Sequence, residues 1–231
     1  MEASMFGADN ERHRERWVKA QLATLPSGWR ILDAGAGTQP FRQDCSHLRY
    51  VAQDFGQYDG AGNGAGLHVD GFRYGPLDHV CDICAIPEPD GAFDAILCTE
   101  VLEHLADPVL AIREFARLLR PGGRLILTAP FASLTHFAPH HYATGFNVYW
   151  YRKHLGDSGL DIETCTANGS WNSFVAQELL RLGWGTVPDL PRPGLLTRIA
   201  SRIVRRFLHR HDSPRASELG CFGYHVVGVK R

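Results

Sequence analysis

The feature that most constrains this chain of 231 residues is a short apolar run that breaks into glycines. Arg30-Ile31-Leu32-Asp33 is followed by Ala34-Gly35-Ala36-Gly37. A short apolar run bounded by a turn signal reads as a buried strand, and glycines behind it let the backbone approach a ligand closely. Strand, glycine turn and polar continuation together predict the first βα unit of an α/β sheet. Further strands are expected at 49–53 (ending at Asp54), 79–81, 93–98, 124–130, 160–165 and 222–229. Apolar residues at three- and four-residue spacing predict helices over 11–25, 102–119, 149–158, 171–182 and 195–210, with Pro108 starting a new helix and Pro121-Gly122-Gly123 stopping it. Seven strands with helices between most of them predict a doubly wound α/β sheet.

Composition narrows the function classes. An apolar fraction of 44% over this length supports a sizeable core. The expected organisation is a single domain over 1–231, with an N-terminal helix, a long glycine-rich loop at 55–78 and a basic helical insertion at about 171–215. Twenty-four basic against 25 acidic side chains give no electrostatic reason to expect nucleic acid as a partner. The charge is uneven, however: between Arg192 and Arg215 seven arginines face one acid, Asp212. The six cysteines are expected to be reduced and the protein cytoplasmic, because residues 1–14 carry charges and no apolar leader segment, and no run approaches 18 apolar residues.

Spacing around the glycine turn separates two nucleoside ligands. A dinucleotide fingerprint requires G-x-G-x-x-G, and Pro40 stands where the third glycine would pack helix on strand. Asp33 precedes the turn, Asp54 closes the second strand and Asp82 follows the third. All three fall at the sheet edge where open α/β folds bind ligands, and Asp54 is placed to accept hydrogen bonds from vicinal ribose hydroxyls. Carboxylates with no lysine or arginine in the turn suit a cationic ligand better than a phosphate.

At these residues the chain resembles the class I S-adenosylmethionine-dependent methyltransferases, of the kind called methyltransferase type 11. The matching blocks are Leu32–Gly37, Asp54, Cys81-Asp82-Ile83 with Pro87, Phe93-Asp94-Ala95-Ile96, Glu100-Val101-Leu102-Glu103-His104-Leu105, and Leu118-Leu119-Arg120-Pro121-Gly122-Gly123. They run in family order over about 29–130. The resemblance implies a mostly parallel sheet closed by an antiparallel last strand, with S-adenosyl-L-methionine as cofactor. It further implies that Gly35 and Gly37 face the methionine and ribose, with Asp33 near the ammonium. Asp54 would bind the ribose hydroxyls and Phe55 lie beside the adenine. Asp82 and the amide of Ile83 would read the adenine edge, and Thr99 and Glu100 would line the cofactor's other side. Asp94 is expected to be structural.

The acceptor is sought in the loops at 55–78, 131–147 and 166–194. His140 and His141 are candidate bases for an acceptor hydroxyl, which favours O-methylation of a small-molecule or glycan-like acceptor. The alternatives are a nicotinamide-dependent oxidoreductase and a non-catalytic binder of the same cofactor. Cys81-x-x-Cys84 lacks a second pair at zinc spacing, and His136, His140 and His141 read as pocket-shaping residues, so no metal is expected. Helix 195–210 places Leu196, Ile199, Ala200, Ile203 and Phe207 on one face. That face is expected to pack on the domain, with contact to a membrane or a lipid-linked substrate as the alternative.

Overall fold

The computed structural model describes residues 6–63, 66–67, 71–184 and 192–231. Seven strands form one sheet: β1 (Arg30–Ala34), β2 (Arg49–Asp54), β3 (His79–Val80), β4 (Phe93–Thr99), β5 (Leu119–Pro130), β6 (Leu160–Asn168) and β7 (Gly223–Lys230). Their order is β3-β2-β1-β4-β5-β7-β6. Neighbours from β3 to β5 are parallel, whereas β7 runs antiparallel to both β5 and β6. The chain winds from β1 through β3 in one direction and resumes on the far side at β4. The crevice at the β1/β4 switch point is therefore the place where such a sheet binds ligands.

Alternation along the central strands divides the core. Leu32, Ile96, Cys98, Leu125 and Leu127 face one side, where they meet Ile112 and Phe115 of α2 (Pro108–Leu118) and Tyr151 and Leu155 of α3 (Val148–Asp157). Ile31, Ala95, Leu97 and Ile126 face the other, under Val18 and Leu22 of α1 (Asn10–Ala23) and under Phe41. Both faces are covered, which is why β1 and β4 read as continuous apolar runs. Asp94 is structural as expected: its carboxylate accepts from the Arg30 amide at 2.7 Å and from Arg120 Nε at 2.6 Å, tying β4 to β1 and β5.

The connections differ from expectation in the first half of the sheet. Between β1 and β2 there is only a short 3-10 turn (Gln43–Cys45), and among the described residues no helix joins β2 to β3 or β3 to β4. Pro40 disfavours helix at Gln39, which adopts φ +58°. Glycines dominate 56–75, and Pro87, Pro89 and Gly91 interrupt the next segment. Pro121-Gly122-Gly123 lies inside β5, not after a helix. Pairing jumps from Phe93–Leu119 to Ala95–Arg124, so these three residues are extruded as a bulge, with Gly122 at φ +73°.

The insertion consists of α4 (Trp171–Trp184) and α5 (Leu195–Arg210). The expectation for α5 is reversed. Ser201 and Arg205 are its buried side chains, with Ser201 Oγ donating to the Leu179 carbonyl at 2.8 Å. Leu196 is 82% exposed, Ile203 62% and Phe207 60%. The small serine lets the two helices approach closely, which turns the apolar row outward beside the exposed arginines 198, 202 and 206.

Candidate functional site

The glycine turn after β1 is held through its amides to the end of β2. The amides of Gly35 and Ala36 both donate to the Gln53 carbonyl at 2.9 Å, and the Gly37 amide donates to Asp54 Oδ2 at 2.9 Å. Gly35 has φ +74°, and a Cβ there would lie 2.5 Å from Val101. The position thus requires glycine both for its left-handed backbone and for the close approach of the segment after β4. Gln53, which the sequence reading missed, links three segments, because its side-chain amide donates to the Cys81 carbonyl at 2.8 Å. Burial raises the Asp54 carboxyl above its ordinary range, against the opposing bonds from the Gly37, Gly56 and Phe55 amides.

Around this turn opens a cleft of about 710 Å³. Gly35, Gly37, Asp54, Phe55, Asp82, Ile83 and His140 line it, so seven of the expected site residues are brought together. Among the described residues its wall contains three carboxylates, Asp54, Asp82 and Asp107, and no lysine or arginine. Tyr58, Phe72 and Phe137 close one side as an aromatic cluster, with ring centroids 4.4 to 5.8 Å apart. The His140 ring meets Phe55 edge-on at 5.0 Å.

The other expected residues lie outside this cleft. Thr99 ends β4 opposite Thr128. Glu100, at φ +53°, faces a second, polar chamber of about 320 Å³, where it pairs with Arg14 at 3.1 Å and accepts from Thr128 Oγ1 at 2.9 Å. Loop residues 132–134 and 136–137, together with Gln177 and Arg181 of α4, also line that chamber, within the segments expected to build an acceptor pocket. Phe137 borders both spaces. His141 lies behind the cleft wall against His104 and His136.

Asp33 is buried beneath the turn, where it accepts from Tyr50 Oη at 2.5 Å. Burial pushes its carboxyl up to about 7, the Tyr50 hydrogen bond opposes that, and the nearby Asp54 adds to it. In the unfolded chain it titrates near 3.8. The native state therefore binds this proton more tightly, and the Asp33 contribution to stability declines as pH rises through that interval. Urea unfolding of wild type and Asp33→Asn should show the wild type losing stability relative to the variant between about pH 4 and 7, and no further above it. A constant difference across that range would mean that Asp33 is ionised in the native protein.

A family profile described as "Methyltransferase domain" matches residues 32–127. A ubiquinone biosynthesis O-methyltransferase of Xanthomonas axonopodis pv. citri is 35% identical over 122 residues, covering 50% of this chain and 48% of that protein. The aligned segment thus spans about half the length of that relative, and less of the several Xanthomonas oryzae proteins of the same name. Among solved structures, the [4+2]-cyclase SpnF superposes with a TM-score of 0.58 at 21% identity, covering 99% of this chain and 83% of SpnF. Phosphoethanolamine N-methyltransferase 2 of Haemonchus contortus, solved with S-adenosyl-L-methionine, superposes with a TM-score of 0.53 at 15% identity, covering 95% and 52%. At these identities the structural likeness carries the fold alone.

Proposed function

We propose, from the premise that this chain is a member of the class I S-adenosylmethionine-dependent methyltransferase family, that it transfers the methyl group of S-adenosyl-L-methionine to a hydroxyl oxygen of a small molecule. The observation that carries this reading is the composition of the cleft. An aromatic and acidic wall with no lysine or arginine among the described residues, next to two glycines and Asp54, suits a nucleoside bearing a sulfonium and an ammonium. It is poorly suited to a pyrophosphate, which disfavours a nicotinamide dinucleotide together with Pro40.

In this arrangement the Asp54 carboxylate would receive the ribose hydroxyls, Phe55 would lie beside the adenine, and Asp82 with the Ile83 amide would read its edge. The sulfonium is itself the activated group. The protein's task is to align the acceptor oxygen with the methyl carbon and to exclude water. The polar chamber beside Glu100 would hold the acceptor, with Phe137 as the shared wall. Of the two histidines expected to act as base, His140 reaches the cleft on the Phe55 side, where the adenine would lie, and neither lines the chamber assigned to the acceptor, so neither is retained for that role. The name of the Xanthomonas relative supports oxygen as the methylated atom.

The outward apolar row of α5, flanked by arginines, extends this reading to an acceptor delivered from an anionic membrane surface. No helix among the described residues is long and apolar enough to cross a membrane, so the contact would be peripheral. The experiment is formation of S-adenosylhomocysteine with phenolic and amine acceptors, in buffer and on vesicles rich in phosphatidylglycerol. Turnover is expected with hydroxyl acceptors. Binding to the anionic vesicles should be lost in Ile203→Glu/Phe207→Glu, which leaves turnover of a soluble acceptor intact. Turnover confined to amines would overturn oxygen as the target, and equal vesicle binding by the variant would remove α5 from membrane contact.

A further inference from the structure

We propose that His104, His136, His141 and Glu103 form a binding site for one divalent transition-metal ion. The sequence alone grouped His136 with His140 and His141. The fold instead brings in His104, from the segment after β4, and turns His140 away toward the cleft.

Each of the three histidines offers a ring nitrogen within 4.8 Å of those of the other two. Oε1 of Glu103 lies 3.7 Å from Nε2 of His104 and 3.8 Å from Nε2 of His136. Four donors therefore converge from two segments. A tetrahedral ion with bonds of about 2.0–2.1 Å would bring its ligand atoms to about 3.3 Å apart, a contraction that side-chain rotation supplies.

The hydrogen bonds around the cluster fix which atoms face inward. Nδ1 of His104 lies 2.5 Å from the His140 carbonyl, and Nδ1 of His136 lies 2.9 Å from the Leu134 carbonyl. A carbonyl only accepts, so each Nδ1 carries a proton, and Nε2, the atom left free for a ligand, lies on the side of Glu103. A backbone carbonyl behind the ring is the usual way a metal-binding histidine is oriented.

The remaining donors have no other partner. Both carboxylate oxygens of Glu103 are buried without a hydrogen bond, and the residue is fully inaccessible to solvent. Both ring nitrogens of His141 are likewise buried and unpartnered. Four unsatisfied polar atoms in one cluster are costly. A cation would take up the Glu103 carboxylate and one ring nitrogen of His141.

The backbone is organised around the same point. The Glu103 carbonyl accepts from the amides of Tyr142 and Ala143 at 2.8 and 3.2 Å, which anchors the histidine loop to the segment after β4. Phe137, between the histidines, adopts φ +54°, a conformation that a bulky residue takes only when its surroundings impose it. Three imidazoles and one carboxylate select an ion of borderline softness such as Zn²⁺ or Fe²⁺ over Mg²⁺ or Ca²⁺. His104 lines the large cleft, while Glu103 and His136 line the polar chamber. The ion would thus sit in the partition between cofactor and acceptor. Insofar as the methyl-transfer reading holds, it would there bind an acceptor oxygen.

The test is titration of the untagged, chelator-treated full chain with Co²⁺, followed by visible absorption, and by competition with Zn²⁺ and Mg²⁺. This readout requires no methyl transfer, so it stands or falls separately from the activity. One equivalent of Co²⁺ is expected to bind with the intense bands of a four- or five-coordinate ion, displaced by Zn²⁺ and not by Mg²⁺. His136→Ala and Glu103→Gln should each weaken binding at least 100-fold. His136 belongs to a surface loop, so its variant keeps the question answerable should Glu103→Gln fail to fold. Absence of stoichiometric binding, or equal affinity in a folded His136→Ala chain, would overturn the proposal.

Discussion

Replacing Asp54 by alanine is expected to weaken binding of S-adenosylhomocysteine by about 100-fold or more. Two ribose hydroxyls donating to one carboxylate are hydrogen bonds to a charged group, each contributing about 1.5–3 kcal/mol. Their joint loss is about 3 kcal/mol at the least, and every 1.4 kcal/mol is about tenfold in affinity. The same carboxylate also accepts from the amides of Gly37 and Gly56 at 2.9 and 3.2 Å, so the alanine variant loosens the turn as well. Asp54→Asn separates the two effects. It keeps one carbonyl oxygen for the ribose and loses charge and one acceptor, so its affinity should fall between wild type and alanine, about tenfold below wild type. Calorimetric titration of the three proteins measures the series. Affinity unchanged in Asp54→Ala would remove this residue from the cofactor site.

The second large effect is structural and concerns Gly35. An alanine there must hold φ +74°, which costs an L-residue about 1–2 kcal/mol, and must place a methyl group 2.5 Å from Val101. Forced overpacking adds about 1–3 kcal/mol. A loss of about 3 kcal/mol lowers the thermal midpoint of a domain this size by about 6–12 °C. The double variant Gly35→Ala/Val101→Ala divides the two contributions. Removing the valine relieves the clash and leaves the backbone strain, so the pair should be less destabilised than the sum of the single variants. Additive losses would mean that Val101 is not what the methyl group meets.

What was legible in the sequence followed from local physics. β1 and β4 announce themselves because both faces are buried, leaving no polar alternation to confuse a strand with a helix. Gly35, Gly37 and Asp54 were readable because a turn and a strand end fix their places relative to one another. The extruded bulge at Pro121-Gly122-Gly123 was not, since proline and glycine signal a break equally well after a helix or inside an irregular strand. The orientation of α5 was also hidden. Its apolar row is evident in the sequence, but which row faces inward depends on Ser201 meeting the Leu179 carbonyl, a contact between segments 22 residues apart.

The histidines show the same limit at the candidate site. Proximity in sequence grouped His136, His140 and His141, whereas the fold packs His140 against Phe55 in the cleft and His141 against His136 behind it. Glu103 and His104 were visible as a pair, and the only available hint was a buried-looking carboxylate beside a histidine in an otherwise apolar stretch. Tyr50 and Gln53, which hold Asp33 and the glycine turn, lie on β2 and carried no motif of their own.

The central claim is that the cleft around Gly35 and Asp54 binds an adenosyl sulfonium compound and not a dinucleotide. The most direct test is calorimetric titration of the full chain with S-adenosyl-L-methionine, S-adenosylhomocysteine, NAD and NADP under one set of conditions. The account predicts one-site binding of both adenosyl compounds, weakened in Asp54→Ala, with no heat from either dinucleotide. Binding of NAD or NADP in place of the adenosyl compounds would contradict it.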